Sequence, residues 1–249
     1  MEELISIIMP TYNCGNFIAE SVESVINQTY SNWELIIVDD CSTDDTETVI
    51  KKYSGKDERI KFYKLSVNSG AAVARNYGTN TAQGVYIAFL DSDDLWHENK
   101  LKKQIDFMKD NKYAFTCTTY AQIDESGKKN GVVIKVKKKV DYNAVLLSCP
   151  IGNSTVIYNA NILGKIEIPN IRKRNDDALW LKILKIEKYA YGLDEKLMLY
   201  RVRKNSLSRN KIELVKYHWY LYRKIEKLSV VRSAWHIFCW IIIKILKIK

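Results

Sequence analysis

In the first ninety or so residues, short aliphatic runs alternate with amphipathic stretches, and each aliphatic run stops at polar residues. Leu4-Ile5-Ser6-Ile7-Ile8-Met9 breaks at Pro10-Thr11-Tyr12-Asn13, and Leu35-Ile36-Ile37-Val38 ends in Asp39-Asp40-Cys41-Ser42. Residues 60–65 make a third run before the turn Asn68-Ser69-Gly70, and 85–90 a fourth, ending in Asp91-Ser92-Asp93-Asp94. Runs this short and continuous suit strands buried on both faces. Between the first two, residues 15–28 put Ile18, Val22, Val25 and Ile26 on one helical face. Ser42, Thr43 or Asp44 can cap a second helix, with Val49, Ile50 and Tyr53 inward, and 71–83 reads as a helix of small residues. Strands alternating with helices predict an α/β fold, its central sheet mostly parallel and flanked by helices on right-handed crossovers. In such sheets the binding crevice lies at the carboxyl ends of the strands. Thr11, Tyr12, Asn13, Asp39, Asp40, Asn68, Asp91, Asp93 and Asp94 should therefore meet on one rim.

The fourth strand end concentrates charge, with three carboxylates in four residues. Unpaired, they repel one another and resist burial. A divalent cation carrying phosphate oxygens is the natural counter-charge. The ordinary alternative is an acidic turn that caps the next helix. Unrelated caps, however, have no reason to gather on one rim. Neither a GxGxxG turn nor a GxxxxGK[ST] loop is present, so a glycine-rich phosphate cradle is not expected.

The chain's 249 residues, 47% of them apolar, suffice for one substantial core with a small appendage. Five scattered cysteines without CxxC spacing give neither a disulfide framework nor a zinc site, and suit free thiols in a reducing compartment. The first strand begins almost at once, with no basic, cleavable leader, which points to the cytoplasm. Of the net charge of +10, +7 falls between Lys211 and Lys249, where nine basic residues face Glu213 and Glu226. Such a tail suits nucleic acid or an anionic membrane. A nucleic-acid partner explains the charge but not the acidic rim.

Four motifs, in this order and spacing, resemble the family 2 glycosyltransferases of the GT-A fold. They are Ser6 to Asn13, Glu34-Leu35-Ile36-Ile37-Val38-Asp39-Asp40-Cys41-Ser42-Thr43-Asp44, Asn68-Ser69-Gly70-Ala71-Ala72-Val73-Ala74-Arg75-Asn76, and Phe89-Leu90-Asp91-Ser92-Asp93-Asp94. The resemblance implies an inverting transfer from a nucleotide-diphosphate sugar, of the UDP type, with Mn²⁺ or Mg²⁺. It implies that Pro10, Thr11 and Tyr12 line the base pocket, that Asp40 with Asp39 contacts the nucleoside, and that Asn68 and Arg75 reach the nucleotide. Asp91-Ser92-Asp93 matches the family's DxD, with Asp93 on the metal and Asp91 or Asp94 assisting at metal or ribose. Arg75 could instead simply pair with an acidic strand end.

The second half is expected to build the acceptor side, giving 1–94 for the nucleotide, 95–210 for the acceptor and 211–249 as a helical appendage. Residues 96–109 suit a helix, 113–120 a strand, 132–136 an edge strand, and 143–147 a short helix. Residues 151–158 read as a polar turn and then a strand. In Arg172-Lys173-Arg174-Asn175-Asp176-Asp177-Ala178-Leu179-Trp180-Leu181, two carboxylates open an amphipathic helix, where its positive end favours them. The family carries an acidic pair here, commonly Glu-Asp. Asn175 replaces its first member, leaving Asp176 as the implied base and Asp177 as the competing candidate. Leu197-Met198-Leu199-Tyr200-Arg201 followed by Val202 to Ser208 resembles the family's strand and polar loop, so Arg201, Arg203 and Ser206 are candidates for the diphosphate; an exposed basic loop is the alternative.

The tail interleaves its bases with Tyr217, Trp219, Tyr220, Tyr222, Trp235, Phe238 and Trp240. Its longest uncharged apolar run, 234–243, is about half a membrane span. Trp with Lys and Arg on an amphipathic helix reads as an in-plane anchor at the inner face of the cytoplasmic membrane. A pair of helices covering the core with a basic outer face is the alternative. The whole reads as a glycosyltransferase that adds a sugar to a lipid-linked or oligosaccharide acceptor in surface-polysaccharide synthesis, such as O-antigen or capsule. Three other readings fit less well. A sugar nucleotidyltransferase needs a glycine-rich basic loop after the first strand, which is absent. A catalytically silent sugar-nucleotide-binding protein, or a membrane scaffold, leaves the acidic motif and Asp176 without a task.

Overall fold

The computed structural model describes residues 2–203 and 211–246. Strand β1 (Ile5–Thr11) is followed by α1 (Gly15–Ile26), β2 (Trp33–Asp39), α2 (Thr46–Ser54), β3 (Ile60–Lys64), α3 (Ala71–Thr81) and β4 (Tyr86–Phe89). β1 pairs in parallel with β2 on one side and β4 on the other, and β2 with β3. The register aligns Thr11 with Asp39 and Asp39 with Lys64, so the strand ends meet along one edge as the alternation predicts. β1, β2 and β4 are buried along their whole length, which is why they read as unbroken apolar runs. α3 packs closely on this sheet at Gly78, where an added Cβ would lie 2.7 Å from a methyl of Ile8.

The sheet then continues with elements of the second half. They are β5 (Leu95–Trp96), α4 (Lys100–Asn111), β6 (Phe115–Ile123), β7 (Lys129–Ile134), β8 (Lys139–Val140), α5 (Tyr142–Ser148), β9 (Ile157–Asn159), α6 (Ala160–Leu163), α7 (Asn175–Ile186) and β10 (Ala190–Arg201). The strand order is β3-β2-β1-β4-β9-β6-β10-β5, with β7 on β6 and β8 on β10. β9 runs antiparallel between β4 and β6, while β10 and β6 are parallel. One sheet therefore spans both halves.

Two local expectations shift. The helix expected from residue 96 starts at Lys100, because Leu95 and Trp96 pair with β10 and the Trp96 indole donates to the carbonyl of Ser154 at 2.7 Å. Lys100 is fully buried, 4.1 Å over the Trp96 ring and 3.0 Å from Gln104 Oε1, and burial holds its amine well below the ordinary lysine range. The cap of α2 is shared differently. Asp44 accepts from Thr46 N and Gly15 N, whereas Ser42 turns back to donate to Asp39.

The tail forms α8 (Lys211–Tyr220), a π turn (Leu221–Ile225) and α9 (Val230–Ile245). Its inner side covers the core. Leu221, Tyr222 and Leu228 join the cluster that contains Trp180, Leu181 and Phe115, and the Tyr222 hydroxyl donates to Leu146 O at 2.6 Å. α9 is amphipathic in an unusual sense. Ser233, His236 and Trp240 face inward, while Val231 (80% exposed), Trp235 (60%), Phe238 and Ile245 lie on the outside at helical spacing. Core cover and an exposed apolar face thus coexist in one helix. No helix among the described residues is long and apolar enough to cross a membrane.

Candidate functional site

The strand-end rim forms around buried acidic side chains held by backbone donors. Both Asp40 oxygens accept from main-chain N–H groups, of Ser69 and of Gly70, each at 2.7 Å. Gly70 supplies its N–H at φ +94°, where a side chain would be strained. Asn68 donates to the carbonyl of Asp40 at 3.2 Å. Asp39 is completely buried; its Oδ1 accepts from Ser42, while among the described residues its Oδ2 has no hydrogen bond and lies 4.0 Å from Lys64. Thr11 Oγ1 and Arg75 Nε are also buried without a hydrogen-bond partner among the described residues. Such atoms in a native fold mark a strained or ligand-binding place. Pro10 is buried in β1, whereas Tyr12, just past the strand, is exposed. Asn13 and Cys41, at the ends of the first two motifs, hold positive φ without being glycine, as does Arg174 before α7. Strained backbone of this kind collects where geometry matters.

The acidic loop divides its labour. Asp94 is buried, with Oδ2 accepting from Ser154 Oγ at 2.6 Å and Oδ1 from Arg201 N at 3.0 Å. Burial, then the charges of Asp93 and Asp91, push its carboxyl well above the ordinary range. Ser92 is buried, and its carbonyl accepts from the Cys14 thiol. Asp91 stays partly open and accepts from Arg75 at 2.6 Å and Asn153 at 2.8 Å. Asp93 Oδ2 faces Arg203 at 3.2 Å; burial and the charge of Asp91 nevertheless raise its carboxyl. Asp91 and Asp93 are hard oxygen donors, each partly open beside its arginine, and oxygen donors of this kind suit a divalent cation. No cluster of three acidic, histidine or cysteine ligands exists among the described residues, so a shared diphosphate would have to complete the shell.

Arg201 is 2% exposed and engaged within the protein. Its Nε donates to Asp93 O at 2.9 Å, one Nη to Glu125 O at 3.1 Å, and the other to Glu20 at 2.8 Å. It thereby braces the acidic loop from behind. Arg203 is partly open and stacks over Phe17 at 4.8 Å. Ser206 lies outside the described residues.

Arg75 also donates to Asn175 Oδ1, the first residue of α7. That bond brings the start of α7 onto the acidic rim. Asp176 is partly open and has no hydrogen bond among the described residues, whereas Asp177 is buried against Arg174 at 3.2 Å. Burial, then the neighbouring Asp176, push the Asp177 carboxyl up to about 6. Of the two, Asp176 is the one open to an incoming group. Nothing in the sequence alone marks Asn153, Ser154, Glu20 or Arg174 as part of the site. Asn153 and Ser154 sit in a polar turn whose only signal was its polarity, and nothing local marks Glu20.

Comparison with solved structures gives the class. The S. aureus TarS 1-349 complex with UDP-GlcNAc superposes with a TM-score of 0.73 over 96% of this chain and 72% of that one, at 21% identity. The fold is that of the GT-A glycosyltransferases. More narrowly, the model of Glycosyl transferase family 2 matches residues 6–167, and the chain belongs to that family. Among its relatives, a putative teichuronic acid biosynthesis glycosyltransferase, TuaG of Bacillus subtilis, is 44% identical over 93% of this chain and 92% of its own length. The Escherichia coli protein WfgD, a UDP-Glc:alpha-D-GlcNAc-diphosphoundecaprenol beta-1,3-glucosyltransferase, is 40% identical over 87% of this chain and 84% of its own.

Proposed function

We propose that this glycosyltransferase moves a sugar, with inversion, from a UDP-type nucleotide sugar to a hydroxyl of a lipid-linked acceptor in surface-polysaccharide synthesis. The observation that carries the mechanism is the Arg75 bridge, which ties the acidic loop at Asp91 to Asn175, beside Asp176. Both acid–base and leaving-group functions then border one space. The acceptor and donor classes rest on the relatives, whose names specify UDP-glucose and a diphosphoundecaprenol-linked sugar.

The donor nucleoside meets Thr11 and Asp39, whose buried Oγ1 and Oδ2 have no hydrogen-bond partner among the described residues. Asp40 sets the loop 68–70 under it through two main-chain bonds. Asp93 and Asp91 would hold a Mn²⁺ or Mg²⁺ ion, which would supply Lewis-acid neutralisation of the leaving diphosphate. Asp176 accepts the proton of the attacking hydroxyl. The hydroxyl oxygen bonds to C1 as the C1–O bond to the diphosphate breaks, its electron pair leaving with the β-phosphate oxygen. The transition state has the oxocarbenium character of glycosyl transfer. A base so placed contributes about 10²–10⁴-fold.

The exposed apolar face of α9, on a tail that carries most of the chain's excess positive charge, supports peripheral attachment to an anionic bilayer, where such an acceptor resides. The test is product formation from UDP-glucose and a lipid-linked N-acetylglucosaminyl diphosphate, with and without Mn²⁺. Asp176→Asn should abolish transfer and retain nucleotide binding. Near-full turnover in that variant would overturn the base, and no transfer from any nucleotide sugar would overturn the function.

A further inference from the structure

A cleft of about 280 Å³ opens between residues 170–172, which lead into α7, and one side of α8. Its lining is Asn170, Ile171, Arg172, Lys216, Tyr217 and Tyr220. No carboxylate lines it, and neither Arg172 nor Lys216 has an acidic partner among the described residues. The next lysine along, Lys173, shows what is normal nearby: it pairs with Glu213 at 2.7 Å and bolts the lead-in to α8. Two cations without an acidic partner among the described residues line one small volume, with two tyrosines a helical turn apart, and make a place for an anion joined to an apolar or ring-shaped group.

The cleft borders the donor rim. Arg172 donates to Asn68 at 3.4 Å, and Asn68 in turn donates to the carbonyl of Asp40. Arg172 also stands four residues before Asp176 on the same lead-in. The other wall, α8, leads into the hairpin whose α9 exposes Val231, Trp235 and Phe238.

We propose that this cleft holds the diphosphate of the lipid-linked acceptor, with Arg172 and Lys216 on phosphate oxygens and Tyr217 and Tyr220 against the adjoining sugar or prenyl carbons. The volume fits a diphosphate with part of a neighbour and not a whole second nucleotide sugar. The assignment rests on the lipid-acceptor reading above and adds the residues that recognise that acceptor. The donor's own diphosphate is left to Asp91, Asp93 and Arg203.

The test uses the full chain and the double variant Arg172→Ala with Lys216→Ala. Both side chains are exposed, so the variant should keep the wild-type Tm. The acceptor probe is a short-chain alkyl diphosphate of N-acetylglucosamine, and UDP-glucose is the donor. The acceptor KM should rise about tenfold or more, as loss of charged hydrogen bonds entails, while the donor KM stays within about twofold. With the phosphate-free alkyl glycoside of the same sugar, variant and wild type should behave alike. Calorimetric titration of the alkyl diphosphate without donor should show binding to wild type and at least about tenfold weaker binding to the variant. An unchanged acceptor KM, an equal rise in donor KM, or equal calorimetric binding overturns the cleft assignment while leaving the enzyme's activity standing. Absence of transfer and of UDP-glucose hydrolysis in wild type overturns the lipid-acceptor reading itself, and the cleft assignment with it.

Discussion

Arg75 and Asp91 are in direct contact, Nη2 to Oδ1 at 2.6 Å, although one belongs to α3 and the other to the loop after β4. The second arm of the same guanidinium donates to Asn175 on α7. One planar fork therefore fixes the distance between the acidic loop and the base helix. A neutral amide at position 175 suits this role. It accepts from Arg75 without adding a charge beside Asp91, Asp93, Asp176 and Asp177.

Arg75→Lys keeps the charge and loses the fork. We expect kcat to fall about 10- to 100-fold, the usual cost when a residue that orients a site's ligands is lost. Stability should fall by only about 1.5–3 kcal/mol, the worth of one charged hydrogen bond. Steady-state kinetics and chemical denaturation of the same preparation check this. A variant of wild-type kcat would mean that the bridge holds the fold and not the site.

Asp177 gives the pH dependence. Its folded carboxyl titrates near 6, above the ordinary 3.8, because burial and Asp176 oppose its charge. A group raised in the folded state contributes stability that is full below its unfolded value and is lost as pH rises through the folded one. The Tm of the wild type should thus decline as pH rises from about 3.8 to about 6 and level off above that. Asp177→Asn should flatten that step, because the amide has no charge to bury. Parallel thermal melts across that range decide it, and an identical slope in both proteins would place the titration elsewhere.

Arg201 and Arg203 are two residues apart and should behave oppositely. Arg201 is enclosed, holding Asp93 O, Glu125 O and Glu20 at once. Arg201→Ala leaves those groups without their donor and should cost about 3–5 kcal/mol, or roughly 10 °C in Tm for a chain of this size. Glu20 is half exposed, so Glu20→Ala should cost about 1 kcal/mol or less, water taking over its bond. Arg203→Ala should leave Tm nearly unchanged and weaken UDP binding. Melts and nucleotide titrations of the three variants test the division.

The parallel strands and the acidic rim were legible because burial on both faces writes strands as unbroken apolar runs, and because polar strand ends at the switch edge are not hidden by packing. Residues 4–9 and 35–38 are examples, as is the alignment of Thr11 with Asp39. What was not legible depended on contacts distant in sequence. Arg201 reads as a basic loop residue beside Arg203, yet its partner Glu20 is 181 residues away. Ser154 reads as turn, yet it holds both the Asp91 amide and the Asp94 carboxyl. Trp96 has helix-like neighbours, but pairing with β10 outweighs them. The tail offers core cover and membrane contact as alternatives, because a helical pattern alone does not reveal that Ser233 and His236 turn inward while Val231, Trp235 and Phe238 stay outside.

The outer face of α9 makes the last prediction. Val231, Trp235, Phe238 and Ile245 are exposed at helical spacing, on a helix whose inner residues His236 and Trp240 are already packed. Burying a large apolar side chain in a bilayer interface is worth about 1.5–3 kcal/mol, roughly tenfold or more in partitioning. Trp235→Glu together with Phe238→Glu should therefore reduce flotation with anionic vesicles by about a hundredfold, with Tm unchanged because neither side chain belongs to the core. Neutral vesicles should bind the wild type more weakly than anionic ones, since the tail from Lys211 to Lys249 carries nine basic residues against two acidic ones. Turnover on a short-chain, water-soluble acceptor should survive the double substitution, whereas turnover on vesicle-embedded acceptor should drop with the loss of binding. Equal flotation of variant and wild type would mean that this face meets something other than a bilayer.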